Sequence, residues 1–199
     1  MGNNKPSSLK FALFWGTVAF FTAIFFSFFS EIVLPRLQIL MLSFSFLLLV
    51  IITGIVFDMV GVSVAVANEH PFHAKATKRL RGATQAIVMV RHADKVATFC
   101  NDVIGDICGT VSGALGASIV FQIIAASSTW SKYESIASML MTGVIAAVTV
   151  GGKATGKRAA LNDWEEIVFF VGKSLGWFES VTGINLLLGS RRKGRERKK

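Results

Sequence analysis

Cysteine is scarce in this sequence: Cys100 and Cys108 are the two in 199 residues. They fall eight residues apart on one predicted helix, a rise of about 12 Å, which is beyond disulfide reach. Both are expected as free thiols packed as small apolar groups. No Cys-x-x-Cys or Cys–His spacing exists, which removes the usual zinc signatures. Acidic residues are few as well, 12 against 21 Lys and Arg, giving a net charge of +9. No nucleic-acid-binding motif accompanies that excess, so nucleic acid is not an expected partner. An internal repeat is also lacking. The opening MGNNKPSS carries Pro6 where a myristoylation signal wants Ser or Thr. The first apolar segment is too long for a signal-peptide core and has no small-residue cleavage site after it, so it reads as a retained span.

What is abundant is uncharged apolar sequence. The apolar fraction is 52%, with 17 Phe, and the mean hydropathy is +0.57, high for a water-soluble domain. Hydrophobicity and positive charge occupy different segments. Phe11 to Phe29 is 19 residues without a charge, enough to cross the hydrocarbon. A short break at Glu31, Pro35 and Arg36 leads to a second span, Ile39 to Ala67, interrupted by Asp58. That run exceeds what a bilayer needs, so it must tilt or emerge into the interface. A third span is expected from Phe99 to Ala126 and a fourth from Ile136 to Gly152. Between the last two, Ser127 to Glu134 forms a short polar turn.

The polar stretch from Asn68 to Thr98 carries Lys75, Lys78, Arg79, Arg81, Arg91 and Lys95. Leu80, Ala83, Ile87, Val90 and Ala97 recur there near helical spacing. A basic amphipathic helix beside spans lies along the cytoplasmic surface against anionic lipid, or packs on its own protein. His70 and His73 flank Pro71 at an expected helix start and read as surface residues rather than metal ligands. Residues 167–188 are apolar but interrupted by Lys173 and Glu179. A fifth span there would put the basic tail RRKGRERKK outside, against the positive-inside rule, so an interfacial or helix-packed segment is expected. Every basic cluster then faces inward. The expectation is an all-α polytopic membrane protein with about four transmembrane helices, cytoplasmic amphipathic helices and both termini cytoplasmic. Residues 1–38 form a region with the first span, 39–189 the main membrane domain, and 190–199 a basic tail expected to be disordered.

Acidic residues inside spans are costly and need a reason. Here they are Asp58, Asp102 and Asp106, with Asn101 beside the second. Asp102 and Asp106 share a helix face that continues through Gly109 and Gly113. Gly105, Gly109 and Gly113 make a small-xxx-small stripe, which lets another helix approach. Carboxylates and amide oxygens together suit a hard cation such as Mg²⁺ or Na⁺. The alternative is that Asp102 and Asp106 sit at the cytoplasmic interface, in water or paired with Lys95 or Arg91, and that Asp58 makes a structural hydrogen bond.

The order of features resembles the transmembrane domain of the CorC/CNNM magnesium transport proteins. The matching elements are FDMVGVSVAVAN at 57–68, HAKATKRLRGATQAI at 73–87, CNDVIGDICG at 100–109 and VTVGGKATGKRAAL at 148–161. The resemblance covers roughly Ile39 to Gly189 and leaves the first span as an extra helix. It implies divalent-cation transport or binding, with Asn101 as a cation ligand, Asp58 in the place of a first-span ligand, and a homodimer formed through the membrane domain. The family's Gly-Glu-Pro-Lys element is represented by Gly151-Gly152-Lys153 alone, without its Glu and Pro.

Two other functions fit parts of the sequence. Phe57-Asp58 and Gly105-Asp106 are similar to the paired motifs of intramembrane aspartyl proteases, where two carboxylates share a proton. Val103 stands where the first Gly of that motif belongs, no Pro-Ala-Leu element exists, and the spans are too few. A non-transporting membrane scaffold or assembly protein, using small-residue stripes for helix packing and dimerisation, is the main rival. No enzymatic activity is expected. Asp58, Asn101, Asp102 and Asp106 are expected to converge in one cavity between the second and third spans.

Overall fold

The structure, a computed structural model, describes residues 8–33, 40–126 and 132–182. Within them the regular elements are helical and no strand is present. In order they are α1 (Ser8–Val33), α2 (Leu40–Val66), α3 (His70–Thr77), α4 (Ala83–Arg91), α5 (Ala93–Ala97), a π-helical segment (Thr98–Ile104), α6 (Gly105–Ala125), α7 (Glu134–Asn162) and α8 (Trp164–Thr182). The basic tail, Lys5, and residues 183–190 lie outside the described residues.

Three helical stretches are long and apolar enough to cross a membrane: Leu40–Val66, Ala93–Ala125 and Glu134–Asn162. They fall on the second, third and fourth expected spans. The described apolar part of α1, Phe11–Phe26, is shorter. The chain divides into two compact units, one of residues 1–57 and 101–154, the other of 58–100 and 155–199.

In the first unit α6 packs on α1. Leu47 and Ile51 of α2 are buried with Leu115 and Ile119 of α6. The helices are apolar on all sides, so close backbone approach decides which sides meet. A Cβ added at Gly116 would run into Ile145 of α7, and one at Gly54 would come 2.9 Å from Cys108 Cβ. Gln122 Nε2 donates to the buried Ser43 Oγ at 3.3 Å, linking α6 to α2.

The second unit is an amphipathic helical assembly, as the spacing of 68–98 predicts. Asn68 Oδ1 accepts from the His70 backbone N–H at 3.0 Å, and Pro71 lies in the first turn of α3, where its missing N–H costs nothing. Arg79 (φ 56°) and Gly82 (φ 91°) adopt left-handed backbone in the turn to α4. α8 crosses α4 at Gly172, where an added Cβ would come 2.6 Å from the Gly82 carbonyl oxygen and 3.2 Å from Ala86 Cβ. Around this crossing Val64, Phe72, Ala86, Ile87, Met89 and Val168 form the core. Phe72 meets Trp164 edge-on, with ring centroids 6.1 Å apart. Residues 164–182 are thus a helix packed on α4, one of the two arrangements expected for that segment.

Candidate functional site

The polar residues of the spans fall into two groups. Asp58 lies on α2 and belongs to the second unit. It is 4% exposed, and its Oδ2 is 3.8 Å from Lys157 Nζ at the end of α7. A buried carboxylate needs a compensating charge, and this lysine supplies one. The pairing spans 99 positions of sequence, out of reach of any local pattern.

Asn101, Asp102 and Asp106 belong to the first unit. His92, with φ −116°, closes α4, and its Nδ1 lies 2.9 Å from the Val88 carbonyl oxygen. After the short α5 the helix widens into the π segment, which contains Asn101 and Asp102, and tightens again at Gly105. Wide turns of this kind insert a residue into the helical register and are frequent at functional sites. Asn101 Oδ1 is shut off from solvent and has no hydrogen-bond partner among the described residues. Asp102 and Asp106 are both exposed. Arg91, one of the cations the sequence offers them, donates to Glu69 at 3.0 Å.

No protein-family model, curated protein or solved structure matches the chain.

The glycine stripe divides. Gly105 is buried, while a Cβ at Gly109 or Gly113 would meet nothing within 4 Å. The tight contacts of this unit fall on Gly54, Gly116 and Gly152, none of them in the small-xxx-small stripe; at Gly152 the neighbour is Ile55. The expectation that the Asp102–Asp106–Gly109–Gly113 face meets another helix therefore finds no such helix among the described residues. No group of three or more His, Cys, Asp and Glu side chains placed to hold a metal ion occurs among them either. A groove of about 350 Å³ in the same unit is lined by apolar side chains such as Met41, Phe44, Leu48, Met141 and Val144, with Ser45 at its edge. Chemically, the π segment and the first turn of α6 each offer an exposed carboxylate, followed along α6 by the uncovered Gly109 and Gly113.

Proposed function

We propose that the chain is a non-enzymatic assembly protein of the cell membrane, joining a second copy of itself through the open face of α6. On this reading it crosses the bilayer four times, the Phe11–Phe26 stretch of α1 supplying the remaining span. Lys and Arg clusters at 75–95, 153–158 and 191–199 support an inward orientation for both termini.

The observation that carries the reading is the uncovered pair Gly109 and Gly113 on α6. Glycine lets a second backbone come close. The stretch Ala93–Ala125 has 33 residues, about 50 Å of helix against about 30 Å of hydrocarbon. Asp106 precedes Ala125 by 19 residues, about 29 Å. The carboxylates then lie at the inner edge of the hydrocarbon, and Gly109 and Gly113 lie within it. Two copies meeting along this face would bury the glycines and leave the carboxylates to headgroup water. The test is cross-linking in native membranes through Gly113→Cys, with Cys100 and Cys108 replaced by Ser. A cross-linked dimer that falls severalfold on adding Gly109→Leu is expected. No dimer, or one unmoved by Gly109→Leu, overturns the reading.

A second reading, binding or transport of a hard cation of the Mg²⁺ type, is favoured by one observation. The buried Asn101 Oδ1 lacks a hydrogen-bond partner among the described residues and adjoins the two carboxylates in sequence, an oxygen-rich set. Asp58 stands outside this set because Lys157 already offsets its charge. Purified protein should then gain thermal stability in Mg²⁺ or Na⁺, and Asp106→Asn should abolish the gain. A response equal in both proteins excludes this reading.

A further inference from the structure

The helix α8 is apolar on two sides. Val168, Gly172 and Glu179 are buried, with Gly172 seated on α4. On the opposite side Phe170 (70% exposed), Trp177 (68%) and Val181 (66%) stand outward. Positions 170, 177 and 181 follow the helical repeat, with Ser174 between them, so the exposed side chains make one strip. Scattered exposed apolar residues are ordinary, but a strip of large ones on one helix face marks a surface that is covered by something.

The surroundings of the strip say what covers it. An added Cβ at Gly82 would strike the Lys173 backbone, so the turn before α4 lies against the middle of α8. That turn carries Lys78, Arg79, Leu80 and Arg81, all exposed, and Lys173 is exposed on the flank of the strip. Arg79 holds a left-handed conformation (φ 56°), uncommon for a residue with a side chain. The acids on this side are Glu166, one turn before Phe170, and the exposed Asp163 just ahead of the helix; Glu165 is engaged by Lys75 at 2.9 Å, and the buried Glu179 accepts from Gln85 Nε2 at 2.9 Å. Lys173 therefore flanks the strip, the basic turn reaches α8 at the backbone of that same residue, and Trp177 lies one turn before the strip's end at Val181. A tryptophan is at home where apolar chains give way to headgroups, and Lys and Arg beside it match phosphate charge.

We infer that the outer face of α8, with the Lys78–Arg81 turn, is a docking surface for anionic phospholipid of the bilayer that the chain itself spans. Phe170, Trp177 and Val181 enter the boundary between headgroups and acyl chains, while Arg79, Arg81 and Lys173 hold headgroup phosphates. The inference rests on the reading of the chain as a membrane protein.

The test uses the full chain in vesicles of phosphatidylcholine alone, or with about a third phosphatidylglycerol, containing bromine-labelled acyl chains that quench tryptophan. The contributions of Trp177 and Trp15 are obtained by difference from Trp177→Phe and Trp15→Phe. Trp177 should be quenched, and more strongly with phosphatidylglycerol. The variant Arg79→Gln, Arg81→Gln, Lys173→Gln, whose basic tail is intact, should lose that difference. It should also retain less phosphatidylglycerol on purification, by up to about fivefold for each charge removed. Quenching of Trp15 without quenching of Trp177 overturns the inference and leaves the membrane reading standing. Quenching of neither overturns both. Trp177 shielded from bromolipid and from aqueous iodide alike means that protein, a second copy or the chain's own tail, covers the strip, and also overturns it. An unchanged phosphatidylglycerol preference in the triple variant removes the basic turn from the surface.

Discussion

In the unit of residues 58–100 and 155–199, polar side chains reach across elements. Glu69 meets Arg91, Glu165 meets Lys75, Asp58 meets Lys157, and Gln85 donates to Glu179. Ser63, Thr77, Ser174 and Thr182 of this unit also turn back on their own helices, and in the unit of residues 1–57 and 101–154 that local pattern runs along the helices. Thr17, Ser45, Thr53, Thr110, Ser112 and Thr142 each donate to the carbonyl four residues earlier, and Gln122 to Ser43 is a cross-helix exception. Backbonding of this sort satisfies a hydroxyl without water or a neighbouring element. It is what a helix needs where the surroundings offer no hydrogen bonds. Both units bury an apolar core, and both use glycines at close approaches, Gly54, Gly116 and Gly152 in the first and Gly82 and Gly172 in the second. What sets the second apart is the reach of its charged side chains, which join elements distant in sequence.

The comparison breaks most readily at the core of the second unit. Phe72 is fully buried against Trp164 and Val168, and Phe72→Ala should cost about 3–5 kcal/mol. Gly82→Val combines a left-handed backbone with a collision against α8 and should cost about 3 kcal/mol. Hydrogen exchange should show α3, α4 and α8 losing protection together in both variants. Loss confined to the substituted helix would mean that the unit is not cooperative.

Two glycines of α6, a few residues apart, sharpen the other half. Gly116→Leu forces Ile145 and Met141 aside and should lower stability by about 1–3 kcal/mol. Gly109→Leu, with nothing within 4 Å, should leave monomer stability within about 0.5 kcal/mol while reducing self-association. Thermal unfolding in detergent, paired with the cross-linking yield, separates the two. Equal destabilisation by both would show that the Gly109 face is covered within one chain.

How legible this was follows from the same division. Long apolar runs with few charges gave α2, the π–α6 stretch and α7, since length and charge are local properties. Helical spacing was visible from Leu80 to Ala97, and residues 167–188 were read as packed or interfacial because a fifth span would carry the basic tail outside. In the first unit the helices are apolar all round, and periodicity then says nothing about which side meets a neighbour. Gly105, Gly109 and Gly113 were conspicuous as a pattern, yet Gly54, Gly116 and Gly152 make the close contacts. The π turn at Thr98–Ile104 has no composition signature, and the Asp58–Lys157 pairing joins residues 99 positions apart, which no local pattern reveals. Asp102 and Asp106 were legible as residues in need of an explanation, and their exposure agrees with the alternative that leaves them in water.

The smallest effect expected lies at the entrance to α3. Glu69 Oε2 accepts from Arg91 Nε at 3.0 Å and lies 3.2 Å from His73 Nε2, and these contacts, Arg91 foremost, hold its carboxyl below its ordinary value of 4.5. A carboxylate whose pKa is lowered by folding binds protons less readily folded than unfolded. Its contribution is therefore complete above about pH 4.5 and disappears as the pH falls through the folded value. The group is exposed and screened, so the effect is slight. Other carboxylates titrate in the same range, which makes the difference between wild type and Glu69→Gln the quantity to measure. Thermal unfolding from pH 7 to about pH 3 should show the wild type more stable at the neutral end, with the two curves converging on acidification. A constant offset across the range would mean that Glu69 acts through packing and not through its charge.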